Sequence, residues 1–547
     1  MHYASIIEAI ADRLPESEAL VHHGAVRRSW AAYDQRAARL GSVLTAAGLR
    51  PGATLALFLY NCPEYLEGQL AALKQRMTPI NVNYRYVDAE VQYLLENSDS
   101  EALVFHGSLG ETIARVAPRM PRLRVLLQVD DGPRLVPGAV AYEDALAAHA
   151  PAPRIERRPD DLFMMYTGGT TGMPKGVMYD VGDISAAFAN LYPQVLLGRP
   201  PVPEDAAAAE FAAGLHTAGQ AMTFLPASPL MHTAGLFQSM ALQLLGAKIV
   251  TLPQRTFDAG ALWKAVEDER VTGMVIVGDA FARPMIEALR TARAEGTPHD
   301  VSSLRLILSS GVMWSAEVKK ALLDFGDFTL IDGIGATEGT MGYQISRRGV
   351  DVATGTFMKA ADTKLFSEDG REITPGSDEA GLIAAGGMLV PRGYYKDPEK
   401  SAKTFRVVGG KRYAFTGDWG KLTADGSLIL LGRGSNCINT AGEKVFPEEV
   451  EEILKTDPQV EDCLVVGIPD ERFGQRVAAL VVTRVHGEEV ARQLTAFSKD
   501  RMAGYKRPRL FVRVDAIARL ANGKPDYAWA RARLLEAAAA DAGTGTP

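Results

Sequence analysis

Cysteine is scarce in this sequence of 547 residues, which contains only Cys62, Cys437 and Cys463. These three form no close pair and have no spacing typical of metal ligands. A disulfide-stabilised scaffold is therefore not expected, and the composition suits a reducing, cytoplasmic setting.

An excess of positive charge and long apolar runs are also missing. The 59 basic and 66 acidic residues leave a net charge of -7, which argues against general affinity for nucleic acid or anionic lipid. No apolar run approaches the ~18 residues that cross a bilayer. Residues 1–14 carry no basic leader, and Ile6, Ile7 and Ile10 have the spacing of an amphipathic helix rather than a signal peptide. We therefore expect neither a signal peptide nor a transmembrane segment.

The overall composition is that of a globular protein, with 47% hydrophobic and 23% charged residues. The chain is too long for one compact core, so two or more domains are expected. Between about residues 29 and 246, helical patterns alternate with short strand-like runs such as 54–59 and 102–105. This rhythm predicts an α/β fold with largely parallel sheets.

Two parts of the chain depart from this rhythm. In segment 194–222, Pro- and Gly-rich stretches flank an Ala-rich run that predicts a short helix. We favour a surface insertion here, and a lid or wall over a substrate pocket is the alternative. Near 433–436 a fresh αβ pattern begins, so we predict an N-terminal domain of residues 1–432, a hinge at 433–436 and a C-terminal domain of residues 437–547.

The most distinctive segment is a glycine- and threonine-rich loop, YTGGTTGMPKG, at residues 166–176. It follows the apolar run LFMM, so we expect it to leave a buried strand. Glycines let the backbone turn its N–H groups toward phosphate oxygens, while threonines add hydroxyl donors and Lys175 adds positive charge. A hairpin without a ligand is the alternative, which the density of glycine and threonine disfavours. The loop lacks the Walker Gly-Lys-Ser/Thr, and GIGATEG at 333–339 lacks the dinucleotide GxGxxG spacing.

Four further glycine-containing segments carry charged residues: DGIGATEG at 332–339, YAFTGDWG at 413–420, LLGRGSNCINTAGEK at 430–444 and ANGKPDY at 521–527. In these segments Glu338 could bind a hard cation, Asp418 could accept hydrogen bonds from two ribose hydroxyls, and Lys524 could stabilise developing negative charge. Taken alone, each residue has a plainer interpretation as a turn carboxylate or a solvated lysine.

Together with the loop, and in this order along the chain, these segments resemble the adenylate-forming superfamily. That superfamily includes AMP-forming acyl-CoA synthetases, peptide-synthetase adenylation domains and firefly-type luciferases. The resemblance implies a large N-terminal domain of layered α/β subdomains with a small β-barrel part, and a small mobile α+β C-terminal domain. The stretches GDAFARP and GEKVFPEEVE look most similar to ligases acting on steroid side-chain acids and long-chain fatty acids.

The resemblance also implies roles for individual residues. Lys524, Glu338 and Thr170 would be catalytic, and Glu338 would hold Mg²⁺. Three positions depart from the family pattern: Gly168 replaces the usual serine, Ile334 stands where an aromatic often meets adenine, and Ser435 replaces a charged hinge residue. The residues implied in ATP binding are Thr167, Gly168, Gly169, Thr170, Thr171, Gly172, Lys175, Gly311, Asp332, Gly333, Ile334, Gly335, Thr337, Glu338, Asp418, Arg433 and Lys524.

Two further sets of residues match family segments near the thiol and acyl sites. The set implied in CoA binding is Gly442, Glu443, Tyr505 and Lys506, and the set implied in the acyl pocket is His232, Gly278 and Asp279. A turn glycine and a solvated basic turn are the alternatives for the first set. For the second, His232 has the alternative of a core histidine with a backbone partner. We favour Asp279 as the N-cap of a helix that follows a buried strand, and Trp314 as a core residue.

The resemblance implies an enzyme that uses ATP, Mg²⁺ and coenzyme A to convert a carboxylic acid to its acyl-adenylate and then to a thioester. A bulky hydrophobic acid is expected, with a steroid side-chain or other polycyclic acid first and a medium- or long-chain fatty acid second. Loading of a carrier protein, luciferase-like oxidation and a non-catalytic nucleotide-binding protein are the alternatives, and a P-loop kinase is disfavoured. We expect a cytoplasmic protein without a nucleic-acid partner, and homodimerisation by analogy.

Overall fold

The computed structural model describes the chain in segments that fall into two compact units. The described residues are 1–129, 132, 135–167, 173–202, 204–312, 314–350, 354–440, 443–470, 474–484, 489–499, 501–520 and 524–544. The first unit comprises Met1–Val352, Ala360–Thr363 and Ala385–Ala414. The second comprises Ala353–Lys359, Lys364–Ala384 and Phe415–Pro547.

Helices occur throughout the described part of the chain. They are α1 (Tyr3–Arg13), α2 (Trp30–Ala46), α3 (Pro63–Lys74), α4 (Asp88–Asn97), α5 (Gly110–Val116), α6 (Tyr142–Ala147), α7 (Val181–Leu197), α8 (Asp205–Thr217), α9 (Thr233–Gln243), α10 (Ala259–Glu269), α11 (Gly278–Ala294), α12 (Ala316–Leu323), α13 (Pro398–Thr404), α14 (Pro447–Lys455), α15 (Glu489–Lys499) and α16 (Tyr527–Thr544).

The strands of the first half of the chain alternate with these helices. They are β1 (Glu18–His22), β2 (Val26–Ser29), β3 (Thr54–Phe58), β4 (Thr78–Asn81), β5 (Ser100–His106), β6 (Val125–Val129), β7 (Val140–Ala141), β8 (Leu162–Thr167), β9 (Lys175–Asp180), β10 (Thr223–Pro226), β11 (Lys248–Thr251), β12 (Gly273–Ile276), β13 (Leu306–Ser310), β14 (Thr329–Ala336) and β15 (Gly339–Ser346).

Strands outnumber helices in the remainder. They are β16 (Thr356–Lys359), β17 (Lys364–Phe366), β18 (Gly381–Ala385), β19 (Gly393–Tyr394), β20 (Phe405–Val408), β21 (Lys411–Leu422), β22 (Leu428–Arg433), β23 (Ile438–Thr440), β24 (Glu443–Val445), β25 (Val460–Asp470), β26 (Gly474–Thr483) and β27 (Leu510–Arg513).

The first unit is built on two largely parallel sheets and one small antiparallel sheet. One sheet runs β15-β14-β13-β12-β10-β11-β1-β2 and is parallel from β14 to β1, and another is the parallel sheet β4-β3-β5-β6-β7. All five residues of β3 are buried, as expected for a parallel strand covered on both faces. The third sheet, β19-β9-β8, is antiparallel. The predicted α/β fold is confirmed.

Helix α1 confirms the predicted amphipathic N-terminal helix, because Ile6, Ile7 and Ile10 are fully buried. The segment 194–222 contains α8, whose buried residues include Ala212 and Leu215 and which packs against α1. The Ala-rich run is thus a packing element of the first unit. The favoured interpretation of this segment is a surface insertion. That description fits the exposed residues of α8, and its buried residues belong to the core.

The second unit holds two groups of strands. Strands β17, β18, β21, β22 and β16 neighbour one another in that order, with antiparallel pairs at β17/β18, β21/β22 and β22/β16. The second group is the sheet β24-β23-β26-β25, with β27 parallel to β26. Two apolar clusters pack on its two faces, one containing Val450 and Leu454 of α14 and the other Ala530 and Leu534 of α16. This arrangement confirms the α+β character expected for the C-terminal residues.

Across the described residues, none of the helices has both the length and the apolar character needed to cross a bilayer. The proposed hinge at 433–436 remains a prediction, since packing alone does not test where a chain bends.

Candidate active site

The two ends of the glycine-rich loop lie side by side. Strands β8 and β9 pair antiparallel along their whole length, and Thr167 at the end of β8 lies opposite Lys175 at the start of β9. The expected buried strand before the loop is confirmed, because Phe163–Tyr166 are buried. The predicted phosphate ligands between these strands lie outside the described residues: Gly168, Gly169, Thr170, Thr171 and Gly172.

Glu338 lies in the tight connection between β14 and β15, two strands that form an antiparallel hairpin. Its carboxylate oxygen Oε1 accepts a hydrogen bond from the hydroxyl of Tyr394 at 2.7 Å. The carbonyl of the preceding residue, Thr337, accepts a hydrogen bond from the hydroxyl of Tyr179. Burial, with the nearby Glu338 charge, raises the pKa of Tyr179 well above its usual value, so this hydroxyl stays protonated and donates. Two tyrosines therefore hold consecutive groups of the predicted metal-binding segment.

Tyr394 also connects this segment to the loop strand. The ammonium nitrogen of Lys175 lies 5.6 Å from the centre of the Tyr394 ring. The structure thus brings together two predicted residues, Lys175 and Glu338, that lie far apart in the sequence. Both contact one side chain that the sequence analysis did not single out.

Asp332 forms an ion pair inside the protein. Its carboxylate is buried and pairs with the ammonium of Lys319 at 2.7 Å, and Lys319 also donates to Gln344 Oε1 at 2.6 Å. Burial raises the pKa of Asp332 to about 6, against the lowering effect of the Lys319 charge. The ion pair fixes β14 beside α12. A contribution of Asp332 to nucleotide binding remains a prediction.

The other predicted nucleotide residues of this region lie on two neighbouring strand ends. Gly333 on β14 pairs with Ser310 on β13, and Gly311 follows directly. Gly311 has φ +91° and is exposed, a conformation that favours glycine. Ile334 is half-buried and Gly335 is exposed on the same β14. Carboxyl ends of parallel strands are the usual place for ligands in an open α/β sheet.

The residues predicted to line an acyl pocket begin two helices. His232 is the N-cap residue of α9 and is half-buried, and its backbone N–H donates to the Pro229 carbonyl at 3.1 Å. Asn81 ties this region to the loop, because its buried amide donates to the carbonyls of Tyr166 at 2.8 Å and Met231 at 2.7 Å. The structure thus places His232 near the strand that enters the loop.

The expectation that Asp279 caps its own helix is wrong. Helix α11 begins at Gly278, with φ +49°, so Asp279 already lies in the first turn and Val277 is the N-cap. The buried strand before it, β12, ends at Ile276. The Asp279 carboxylate instead accepts hydrogen bonds from the backbone and hydroxyl of Ser315, at 2.9 and 2.8 Å. Ser315 is the N-cap of α12, so Asp279 stabilises the next helix. An acyl contact by Asp279 remains a prediction.

A row of aromatic side chains runs from Tyr179 across α9. The centre of the Phe237 ring lies 5.5 Å from the ring centre of Tyr179, 5.7 Å from that of Phe163 and 5.6 Å from that of Phe188. The row ends at Tyr192, whose ring is 5.8 Å from Phe188 and whose hydroxyl donates to Gln238 at 2.5 Å. This largely buried aromatic row begins at Tyr179, whose hydroxyl binds the Thr337 carbonyl. Trp314, predicted as a core residue, is fully buried in a different apolar cluster, which confirms that prediction.

In the second unit, two predicted ribose ligands lie opposite each other. Asp418 on β21 pairs in register with Arg433 on β22. Arg433 Nε lies 3.3 Å from Asp418 Oδ1, and the hydroxyl of Thr416 donates to Oδ2 at 2.5 Å. The carboxylate is therefore oriented by two neighbours before any ribose is bound.

The remaining predicted residues of the second unit are described separately. Lys524 is half-buried, and its carbonyl accepts a hydrogen bond from Leu520 N–H at 2.8 Å. Lys506 pairs with Glu449 at 2.5 Å, while the neighbouring Tyr505 is exposed. Gly442 lies outside the described residues, and Glu443 is described by its backbone alone, as the first residue of β24. These assignments remain predictions.

Glu338 is the residue that the resemblance implies as a magnesium ligand. Among the described residues, His, Cys, Asp and Glu side chains form no cluster of three that could hold a metal. A cation at Glu338 would take this carboxylate as a ligand. A carboxylate oxygen is a ligand that Mg²⁺ prefers in proteins, so the residue present fits the ion.

Comparisons with known proteins place the chain in a family. The model of the AMP-binding enzyme family matches residues 7–395, and that of the AMP-binding enzyme C-terminal domain matches residues 449–524. The chain is 38% identical to 3-oxocholest-4-en-26-oate–CoA ligase of Rhodococcus rhodochrous, over 97% of this chain and 95% of that protein. It is also 38% identical to medium-chain acyl-CoA ligase Mig of Mycobacterium avium, over 97% and 98% respectively.

A solved structure agrees in fold. The anthranilate CoA ligase AuaEII, crystallised with anthranoyl-AMP, superposes with a TM-score of 0.84 at 23% identity, covering 98% of both chains. Since the family models match more than half of the sequence and the relatives extend over nearly all of it, the chain belongs to the AMP-binding enzyme family.

Proposed function

We propose that this chain is an AMP-forming acid–CoA ligase. The observation that carries the proposal is the similarity to acyl-CoA ligases over 97% of the chain. The geometry adds support, because Lys175 and Glu338 share a contact with Tyr394 in one unit and Asp418 and Arg433 share an ion pair in the other.

The reaction proceeds in two steps. A carboxylate oxygen of the acid attacks the α-phosphorus of ATP, and the bond to the bridging oxygen breaks so that pyrophosphate leaves. The loop residues and Lys175 bind the phosphates, Thr337 contacts the α-phosphate, and Lys524 stabilises the charge that develops there. A Mg²⁺ ion held by Glu338 would neutralise phosphate charge. The Asp418–Arg433 pair holds the ribose.

In the second step the CoA sulfur attacks the acyl carbonyl, the bond to the phosphate oxygen breaks, and AMP leaves. Residues 437–547 move about the hinge at 433–436, which withdraws Lys524 and brings Gly442, Glu443, Tyr505 and Lys506 to the thiol side. One site thereby carries out two reactions, each with its own set of side chains.

A bulky hydrophobic acid is the proposed substrate, with a steroid side-chain acid ranked before a medium- or long-chain fatty acid. Two kinds of observation support this choice. The relatives are named for a steroid side-chain acid and for medium-chain acyl groups. A largely buried row of aromatic side chains from Tyr179 to Tyr192 packs beside α9, the helix whose N-cap residue is His232. Cytoplasmic location and a homodimeric state complete the proposal.

AMP release by the purified protein tests this function. MgATP and CoA are supplied with acetate, fatty acids of several lengths, aromatic acids or steroid side-chain acids, and each acid is also measured without CoA. We expect sustained AMP release that needs both CoA and a bulky apolar acid. AMP release that needs a carrier protein instead of CoA would reassign the acceptor. ATP binding without turnover of any acid would contradict the proposal in favour of a nucleotide-binding protein.

A further inference from the structure

One strand pair gathers the groups that reach the loop and the predicted metal carboxylate. Tyr394 on β19 lies directly opposite Val177 on β9. Side chains at alternate positions of a strand share a face, so Lys175, Val177 and Tyr179 project to the same side of the small sheet. The hydroxyls of Tyr179 and Tyr394 then meet Thr337 and Glu338 in sequence order.

The ring of Tyr394 is held on several sides. The residue is 6% exposed, its ring centre lies 5.2 Å from that of Phe405, and its backbone N–H donates to Ser401 Oγ at 2.8 Å. Two ammonium groups, those of Lys175 and Lys400, lie 5.6 and 5.7 Å from the ring centre. Such cation–π contacts favour a fixed direction for each lysine. The hydroxyl therefore has little freedom to leave the Glu338 carboxylate.

The hydrogen bond distinguishes the two oxygens of that carboxylate. Oε1 is occupied by the Tyr394 hydroxyl, whereas no described residue donates a hydrogen bond to Oε2. Outer groups that orient a metal-binding carboxylate typically change metal affinity by about 10–100-fold when removed. A tyrosine hydroxyl placed in this way acts on the cation through Glu338, without touching it.

We propose that Tyr394 is a positioning residue for nucleotide-bound magnesium: its hydroxyl fixes the Glu338 carboxylate, and its ring fixes Lys175 at the end of the phosphate loop. The proposal rests on the ATP-dependent function proposed above. It adds a residue outside the motifs from which that function was inferred, and it couples the loop to the β14–β15 hairpin through one side chain.

The substitution Tyr394→Phe removes the hydroxyl and keeps the ring with its contacts to Phe405, Lys175 and Lys400. Tyr395→Phe is the matched control, because the Tyr395 hydroxyl donates to Asp99 at 2.9 Å and does not contact Glu338. Calorimetric titration measures ATP binding without any acid at a series of Mg²⁺ concentrations. ATP–pyrophosphate exchange with an accepted acid is measured over the same series.

We expect Tyr394→Phe to need about ten-fold more Mg²⁺ for half-maximal ATP binding and for half-maximal exchange, with near-parent exchange at saturating Mg²⁺. Tyr395→Phe should match the parent. An unchanged Mg²⁺ requirement in Tyr394→Phe would overturn the proposal, and so would an exchange rate that is low at every Mg²⁺ concentration.

The binding titration separates this inference from the proposed function. A parent protein that binds MgATP but turns over no acid would contradict the ligase function alone. If the parent is an active ligase and Tyr394→Phe has the parent's Mg²⁺ dependence, only the role of Tyr394 fails. A parent that binds no MgATP would overturn both.

Discussion

At the scale of single residues, Lys524 offers the sharpest test of the two-step scheme. A preorganised donor that meets charge in the transition state is worth about 10²–10³-fold in rate. We therefore expect Lys524→Ala to lower ATP–pyrophosphate exchange by about that factor while sparing thioester formation from a supplied acyl-adenylate. The two half-reactions are measured separately, by radiolabelled pyrophosphate exchange and by acyl-CoA formation without ATP.

The exposed Lys499 at the end of α15 provides the control for this substitution. Lys499→Ala removes the same charge from the same unit and should leave both half-reactions unchanged. Equal loss of both half-reactions in Lys524→Ala would show that the lysine supports the fold or the acyl-adenylate generally, rather than the adenylation step.

The site residues that the sequence alone identifies are charged residues in glycine-containing segments. Glu338, Asp418 and Lys524 stand out because each charged residue stands beside glycine in a short, recognisable pattern. Tyr394 and Asn81 do not stand out, since tyrosine and asparagine are common and their partners come from distant segments. The Tyr394–Glu338 pair spans 56 residues and the Asn81–Met231 pair spans 150. A short sequence motif does not predict contacts between such distant segments.

At the scale of elements, periodicity predicts α1 well because this helix has one buried face. The role of α8 is harder to predict. Its alanines have little amphipathic signal, and their partner α1 lies about 200 residues earlier in the chain. Helix α11 shows the same difficulty at one position, since Asp279 serves the N-terminus of α12 rather than its own helix.

Helix α14 carries two carboxylates that are costly to ionise. Burial raises the pKa of Glu451 to about 8 and that of Glu448 to about 7. Glu451 accepts a hydrogen bond from Val465 N–H at 2.8 Å, and Tyr527 lies 3.5 Å away on α16. A carboxyl with a raised pKa in the folded state binds protons more tightly there than in the unfolded state. Its contribution to stability is therefore complete at acid pH and is lost as the pH rises toward 8.

Glu451→Gln tests this behaviour. The amide stays neutral, so the variant should gain stability relative to the parent as the pH rises from about 4.5 to 8, by at most ~1.4 kcal/mol per pH unit. Thermal unfolding of both proteins across that range gives the difference in Tm. Glu489→Gln at the exposed start of α15 is the control, because it makes the same change outside the buried α14 carboxylates. A pH-independent difference for Glu451→Gln would mean that Glu451 is ionised in the folded protein.

At the scale of the whole molecule, the proposed hinge lies inside a packed region of the second unit. The backbone of Gly434–Asn436 forms a 3₁₀ turn directly after β22. Beyond the turn, the ring centres of Phe446 and Trp419, on β21, lie 6.2 Å apart. The Oε1 atom of Glu448 lies 3.5 Å from the backbone nitrogen of Arg433. A rotation at the turn would have to exchange these contacts. Since one of these contacts is polar, water can replace it during such a rotation.

Substitutions at Ser435 test whether turnover requires that rotation. Proline fixes φ near −65°, whereas glycine widens the accessible range. We expect Ser435→Pro to keep ATP–pyrophosphate exchange close to the parent rate and to lower acyl-CoA formation by roughly ten-fold or more, since only the second step needs the new orientation. Ser435→Gly should support both steps. If Ser435→Pro forms acyl-CoA as fast as Ser435→Gly, the rotation occurs at another residue or the two steps share one orientation. Loss of exchange in Ser435→Pro would instead show that adenylation itself depends on movement at this turn.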